Sequence, residues 1–319
     1  MNQEKVSTVN YNKSWSARVR KDWRQNWGLY LMVLPVIAWY IIFLYAPMYG
    51  AIIAFKDYKP KMGIMGSPWT TPLFKHFTSF FTGPYFARLI RNTLNISLTS
   101  LVYGFPAPIL LALLINELKG KIFPRITQTI TYLPHFISLV VICGMIATFT
   151  NKNGFINDIV AIFGGTRVTM LSKPNYFVPV YVISDIWQGI GWGSIIYLSA
   201  LAGIDQELYE AARIDGAGRL RQTWNITLPG ILPTIIIMLI LRIGGLMSVG
   251  YEKIILLYNP LTYETAEVIS SYVYNKGILG GVGQYSYSTA VGLFNSVINC
   301  VLVIGTNQIS KKLTDTSLW

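Results

Sequence analysis

Few side chains able to do chemistry lie within the apolar stretches of this sequence. Arg242 ends the fifth of six long apolar windows, and Asp185 directly precedes the fourth. A proton-coupled carrier requires several acidic residues in its membrane helices, and Asp185 is a weak candidate for one. His135 lies in an apolar window, but no Ser/His/Asp arrangement accompanies it at a spacing typical of catalysis. We therefore predict no catalytic residue.

Metal and nucleotide chemistry are not indicated either. The two histidines, His76 and His135, and the two cysteines, Cys143 and Cys300, lie in separate segments. Neither a disulfide framework nor a metal site can be built from them, and we interpret the cysteines as small buried hydrophobes. The sequence has no G-x-x-x-x-G-K-[ST] loop, so ATP would have to be bound by other chains.

Six charge-free windows of 19 to 34 residues define the elements that must position these side chains: 25–55, 92–116, 126–151, 186–204, 222–241 and 277–310. A helix that crosses a bilayer needs about 20 apolar residues. The windows exclude a soluble enzyme, a disordered chain and a small secreted scaffold, and they argue against a barrel. We predict an all-α polytopic membrane protein with helices at about 29–52, 90–115, 128–149, 178–203, 230–250 and 286–308.

The charged residues indicate the topology. Segments 1–24, 117–125, 205–221 and 311–319 hold 14 Lys and Arg residues, and the opposite segments, nearly twice as long together, hold 12. The positive-inside rule places both termini in the cytoplasm. The net charge of +12 is therefore a topology signal that also favours anionic lipid, and it does not indicate nucleic acid.

Three domains follow from this pattern: a cytoplasmic tail over 1–27, a transmembrane domain over 28–310 and a short cytoplasmic tail over 311–319. Residues 14–27 repeat large apolar side chains at four-residue spacing: Trp15, Val19, Trp23 and Trp27. This spacing predicts an amphipathic helix in the membrane interface. A disordered basic tail is the alternative.

The loop between the fourth and fifth helices, 204–230, is the most informative segment. Residues 207–214 favour a helix, Gly216 and Gly218 interrupt it, and a second short helix is predicted to about Trp224. Pro229 would then open the fifth membrane helix. We expect two short helices at an angle, which present small alanines and two acidic side chains, Glu210 and Asp215, to another protein.

This loop resembles the coupling motif of permease subunits of binding-protein-dependent type I ABC importers. The match comprises Glu210, Ala211, Ala212, Asp215, Gly216, Ala217, Ile226, Leu228 and Pro229, without departure from the pattern. Three further stretches resemble the carbohydrate, complex-oligosaccharide branch of the maltose-type family: YAPMYG at 45–50, NTL at 92–94 and YLPHFIS at 132–138.

The resemblance implies the type I ABC importer permease fold in a bacterial cytoplasmic membrane. It implies a second homologous permease, two ATPase subunits that bind ATP and Mg, and an extracellular sugar-binding protein. The implied substrate is an oligosaccharide, a breakdown product of a polysaccharide, moved by alternating access. The loop over 204–230 would insert into a groove on the ATPase. A membrane-embedded enzyme acting on glycans or lipids is the alternative.

Six residues are candidates for the substrate path: Arg242, Asp185, Trp187, Gln188, Trp192 and Asn295. Arg242 is expected about 14–20 Å into an apolar core of about 30 Å, facing a cavity or a protein interior, because a charge there is costly. It would line the translocation path or pair with the partner permease, and a buried structural ion pair is the alternative. The tryptophans and the amides contact either sugar or neighbouring helices and lipid. We expect Asp185 near the outer interface and not paired with Arg242.

Overall fold

The computed structural model describes residues 15–280, 284–314 and 316–319, so the first part of the predicted tail lies outside it. The described residues form helices connected by loops, and their one β-type contact is an isolated bridge between Lys56 and Trp69. The predicted all-α class is confirmed. The domain boundaries after residues 27 and 310 stay predictions.

Span one belongs to a unit that ends at Ile52. Its helix Trp15–Tyr40 continues through Ile41–Tyr45 and Ala46–Met48 into a 3₁₀ segment, Tyr49–Phe55. One non-helical residue, Asn26 (φ −120°, ψ 20°), divides the tail helix from the apolar part. The tail is therefore helical from Trp15 onward, and its position in the membrane interface stays a prediction.

The second unit, from Ile53, contains the other spans. Among the described residues of both units, four helical stretches are long and apolar enough to cross a membrane: Val19–Phe55 (span one), Phe86–Asn116 (span two), Arg219–Gly244 (span five) and Tyr285–Lys312 (span six). The bent pair Ile122–Phe136 and Leu139–Phe149 makes a fifth if it is one span. Span four, Pro174–Ala202, has 29 residues, but its glycines, aromatic rings and Asp185 make it less apolar.

Span three is not the continuous helix expected over 128–149. Its two halves meet at an angle of 99°. The first half ends in a 3₁₀ turn, Leu133–Phe136, after which Ile137 is extended (φ −79°, ψ 136°). Ser138 then caps the second half by accepting a hydrogen bond from the Val141 N–H at 3.4 Å. The stretch YLPHFIS at 132–138, which resembles the complex-oligosaccharide branch, is therefore the segment in which span three bends.

Three prolines lie in long helices directly after a π turn. The π turns are Ile41–Tyr45, Ser100–Gly104 and Thr223–Thr227, and the prolines are Pro47, Pro106 and Pro229. A proline ring collides with the carbonyl four residues before it in a regular helix. In all three cases that carbonyl belongs to the middle residue of the π turn, where the widened backbone moves it aside.

Three apolar clusters hold the second unit together. The first joins spans two, three and four to the short helix Tyr251–Leu257 through Ile96, Ile142, Tyr181 and Ile254. The second packs spans two and six around Phe80, and the third packs spans two, four and five around Tyr197. The remaining short helices are Pro60–Met62, Gly63–Gly66, Lys75–Phe81, Phe155–Ile162, Met170–Ser172, Tyr263–Ala266, Ile269–Tyr274 and Asn275–Leu279.

The NTL stretch at the start of span two has a structural role. The Asn92 side-chain amide donates to the carbonyls of Glu264 at 2.8 Å and Glu267 at 3.0 Å, and Thr93 Oγ1 accepts from the Ile269 N–H at 3.1 Å. Arg88 forms an ion pair with the nearly buried Glu267. These contacts fasten the segment after span five to span two.

Candidate functional site: a polar cavity and a capped loop

A cavity of about 460 Å³, here the central cavity, lies among spans two to five. Its polar lining comes from Ser97 and Ser100 of span two, Asp185 and Gln188 of span four, Arg242 of span five, and the segment that follows span five, which contributes Ser248, Glu252 and Lys253. Charged groups, hydroxyls and an amide are thus gathered in one recess among largely apolar span helices.

The cavity forms where regular helices stop. Span five ends at Gly244, and residues 245–250 are not helical. Side chains satisfy this irregular backbone: Ser97 donates to the Leu246 carbonyl, Asn299 Oδ1 accepts from the Met247 N–H at 3.0 Å, and Ser270 donates to the Val249 carbonyl. Irregular backbone at membrane depth is tolerated only with such partners or beside a cavity.

Arg242 lies in the last turn of span five, not in its middle as expected. The helix runs Arg219–Gly244, so it begins and ends earlier than the predicted 230–250. The negative end of the helix dipole favours a cation at this position. The Arg242 side chain is exposed to the cavity, and no described carboxylate lies within ion-pair distance of it. Among the residues that the structure describes, Arg242 is therefore not part of a buried ion pair.

Asp185 pairs with a residue that the sequence analysis did not consider. Lys253 Nζ lies 3.4 Å from Asp185 Oδ1, and the lysine side chain is 5% exposed against 42% for the aspartate. Lys253 also donates to the Tyr181 carbonyl at 3.4 Å and lies over the Tyr181 ring. The expectation that Asp185 does not pair directly with Arg242 agrees with this geometry.

A second, smaller cavity of about 200 Å³ continues from the same two charged residues. Asp185 and Arg242 both line it, together with Gly189, Gly193 and Tyr197 of span four. Of the six path candidates, the structure therefore brings Arg242, Asp185 and Gln188 together. The structure leaves Trp187, Trp192 and Asn295 outside the lining of the central cavity.

Trp192 instead belongs to an aromatic group at the break of span three. Its ring stacks on His135 with centroids 4.5 Å apart and an interplanar angle of 3°, and Phe136 meets it edge-on. Gly191 allows span four to lie this close to span three, since a Cβ at Gly191 would be 2.1 Å from the Thr131 carbonyl oxygen. Asn295 Oδ1 is buried and has no hydrogen-bond partner within the described chain.

The cysteines differ from one another. Cys143 is buried in the first apolar cluster, as expected, but Cys300 is exposed on span six. The expectation that both are buried is therefore wrong for Cys300. It lies on the surface of a span helix that also exposes Val297, Val301 and Ile304, a face typical of lipid or partner contact.

The loop over 204–230 has one separate helix, not two. Gln206–Ile214 begins with Asp205, whose carboxylate accepts from the Glu207 N–H at 2.9 Å. The second helical stretch starts at Arg219 and runs without interruption into span five. The expectation of a second short helix ending near Trp224 is therefore wrong, because the π turn before Pro229 lets the helix continue.

The motif at the end of Gln206–Ile214 is a Schellman cap. Gly216 adopts the left-handed conformation with φ +74°. The Ala217 N–H donates to the Ala212 carbonyl at 2.8 Å, and the Gly216 N–H donates to the Arg213 carbonyl at 3.1 Å. Such caps place a contact between the residues that Ala212 and Ala217 occupy here. Residues 210–212 (EAA) and 215–217 (DGA) of the motif are therefore joined in the capping turn at the end of this helix.

The cap leaves most of the loop exposed. Four large apolar side chains project without cover, at exposures of 53% to 88%: Leu208, Ile214, Leu220 and Trp224. Glu210, Ala211 and Asp215 are also exposed, whereas Ala212, Ala217 and Ile226 are half-buried. Tyr209 bonds to Thr227 at 3.0 Å, which ties the helix to the base of span five. An apolar surface of this kind on a rigid turn is typical of a protein contact.

Residues 104–315 match the family model described as the inner membrane component of binding-protein-dependent transport systems. Because the match covers more than half of the chain, the protein belongs to this family, and the predicted membership in it is confirmed. It is a membrane transport subunit, and the alternative of a membrane-embedded enzyme is not favoured.

Two relatives from Bacillus subtilis (strain 168) are similar along nearly the whole chain. Protein LplB is 44% identical over 98% of this chain and 96% of its own length. The polygalacturonan/rhamnogalacturonan transport system permease protein YteP is 42% identical over 98% of this chain and 97% of its own length. A chain in the crystal structure of a bacterial ABC transporter that imports the acidic polysaccharide alginate is 45% identical, with a TM-score of 0.84 over 93% of this chain and 99% of that one. The type I ABC importer permease fold is thereby confirmed.

Proposed function

We propose that this chain is one of two homologous permease subunits of an importer for acidic oligosaccharides, the fragments of uronate-containing polysaccharides. The Arg242 guanidinium, which lines the central cavity without an ion-pair partner in the described part of the chain, is the observation that carries the proposal. A guanidinium binds a carboxylate through charge-assisted hydrogen bonds, frequently two at once. The serines and Gln188 beside it are suited to sugar hydroxyls.

The relatives support an acidic substrate. One is named for polygalacturonan and rhamnogalacturonan transport, and another belongs to an importer of alginate, described as an acidic polysaccharide. A related complex is described with a periplasmic protein that holds an alginate pentasaccharide. By analogy, an external binding protein delivers the sugar to a path shared by this chain and its partner permease.

The loop over 204–230 is proposed as the contact with the ATPase. Two ATPase subunits bind ATP and Mg, and each receives one permease loop, here through the exposed apolar side chains around the Schellman cap. Docking requires this loop to lie in the cytoplasm, so both termini lie there too, in agreement with the density of Lys and Arg. ATP-driven closure of the ATPases would then switch the cavity between outward and inward access.

The substrate is tested by uptake into proteoliposomes that contain the complete importer and its binding protein. With a labelled trigalacturonate, Arg242→Gln is expected to lower kcat/KM by about 10- to 100-fold, the loss of one hydrogen bond to a charged group. Arg242→Lys should retain part of the activity. Arg167→Gln removes a cation that pairs with Asp158 outside the cavity and serves as the control. Unchanged uptake by Arg242→Gln would contradict the proposal.

The proposed subunits are tested by purification of a tagged chain from the membrane. An ATPase and a second permease should be recovered in amounts comparable to the tagged chain. Replacing Ile214, which is 88% exposed on the loop, by Asp should release the ATPase and retain the partner permease. Recovery of the chain without an ATPase, under conditions that preserve the second permease, would argue against the coupling role.

A further inference from the structure

Lys253 is a buried cation at the wall of the central cavity. Only 5% of its side chain is exposed, and it is enclosed by the first apolar cluster, in which its neighbour Ile254 is fully buried. Its ammonium group faces the Asp185 carboxylate and the Tyr181 carbonyl, both at 3.4 Å, from the short helix Tyr251–Leu257. A charge this deep is retained only when its partners compensate for lost water.

The partner of Lys253 is also a neighbour of Arg242. Asp185 and Arg242 line both cavities, yet they do not form an ion pair. Asp185 Oδ1 is held by Lys253 on the side of span four that faces the short helix. Without the ammonium group, the aspartate would be a partly exposed anion in the same cavity lining as the Arg242 guanidinium. Opposite charges in such a recess attract strongly, because the surroundings screen them less than water does.

We propose that Lys253 is a specificity-determining positioning residue: it holds Asp185 and thereby keeps Arg242 free for the carboxylate of the substrate. This inference rests on the proposed function. If Lys253 lost its charge, Asp185 would pair with Arg242, and the importer would lose its preference for acidic over neutral sugars. The sugar carboxylate would then have to displace Asp185, whereas hydroxyl contacts to Gln188 and the serines would remain.

Equilibrium dialysis of the permease–ATPase complex without the binding protein measures this preference directly. The ligands are trigalacturonate and its carboxyl-reduced, neutral analogue. Lys253→Met should weaken binding of the acidic sugar by about tenfold or more and that of the neutral analogue by less than about twofold, since one charge-assisted contact is lost. Lys253→Met combined with Asp185→Asn removes the carboxylate that Lys253 holds and should restore most of the acidic-sugar affinity.

Lys56→Met is the matched control. Lys56 is likewise almost fully buried, but its ammonium group donates to the Ile64 and Met65 carbonyls in the loop after span one and does not line the cavity. Its loss should leave the ratio of acidic to neutral affinity unchanged. A merely structural role of Lys253 would weaken both sugars together, and Asp185→Asn would not restore binding. That result would overturn the inference.

A second measurement needs no sugar. A double-mutant cycle of Arg242→Gln and Asp185→Asn on the melting temperature of the purified complex should be additive with Lys253 present and non-additive in the Lys253→Met background. Additive effects in both backgrounds would overturn the proposed role of Lys253 and leave the proposed function of Arg242 untouched. Non-additivity together with unchanged preference for the acidic sugar would instead overturn the proposed function of Arg242, and the role of Lys253 in specificity with it.

Discussion

Gly216→Ala is expected to weaken the Schellman cap in the loop over 204–230 without any steric clash. Gly216 has φ +74°, and a Cβ placed on it would meet no atom within 4 Å. The cost is therefore conformational, about 1–2 kcal/mol for a non-glycine residue in the left-handed region. A change of this size alters a local opening equilibrium by a factor of about 5–30.

Gly218→Ala is the matched control, two residues further along the same loop. Gly218 also has open space around its Cα, but its backbone is extended with φ −68° and ψ 166°, which any residue adopts. Alanine there should be neutral or stabilise by about 0.4–1 kcal/mol, because the unfolded chain loses freedom. The two variants thus differ in backbone conformation and not in the atoms added.

Hydrogen exchange in the assembled complex measures the cap. The Ala217 and Gly216 amides, which donate to the Ala212 and Arg213 carbonyls, should exchange about 5–30 times faster in Gly216→Ala and at the wild-type rate in Gly218→Ala. In proteoliposomes, Gly216→Ala should transport less sugar for each ATP hydrolysed. Equal exchange and equal transport in the two variants would refute the cap as the reason for this glycine.

Two further changes test the packing that positions the site. Gly191→Ala should destabilise the protein by about 1–3 kcal/mol, because its Cβ would lie 2.1 Å from the Thr131 carbonyl oxygen. Gly189→Ala is the control, since a Cβ there meets nothing within 4 Å. The melting temperatures of the two variants should differ, and equal values would contradict the prediction. Asn157→Ala should loosen the loop between spans three and four, because the fully buried side-chain amide donates to the Val168 carbonyl at 2.8 Å and accepts from the Val168 N–H at 3.0 Å. The loss should destabilise this loop by about 1–3 kcal/mol. Faster limited proteolysis of the loop is the expected result.

The helices could be predicted because a bilayer requires every backbone group to be satisfied within its own segment. A charged side chain in the bilayer core is also costly, and this cost produces the long charge-free windows. The windows identified the helices of the second unit, although span five begins and ends earlier than the predicted 230–250. The windows do not say where a helix bends. The break at Ile137 was missed although Pro134 and the capping residue Ser138 signal it, and the continuity of Arg219–Gly244 was missed because Pro229 suggested a start.

The candidate site could be predicted only in part. Arg242, Asp185 and Gln188 were recognised because polar side chains in apolar helices require an explanation. Lys253 was not, because it lies 68 residues from Asp185 in a segment assigned outside the membrane. Its burial depends on Tyr251–Leu257 packing against spans three and four, and no local pattern in the sequence encodes that contact.

The continuity of span five connects the two candidate sites. One helix, Arg219–Gly244, starts directly after the Schellman cap and carries Arg242 in its last turn, about 35 Å away at 1.5 Å per residue. A helix transmits displacement along its axis, so a force on the loop would reach the guanidinium without an intervening joint. This helix departs from regular α-helical hydrogen bonding at the π turn Thr223–Thr227, near the loop. The wrongly predicted break would have separated the proposed ATPase contact from the cavity. Because the helix is continuous, the proposed docking of the loop on an ATPase would be linked to the position of Arg242, the cationic group of the cavity lining that has no ion-pair partner among the described residues.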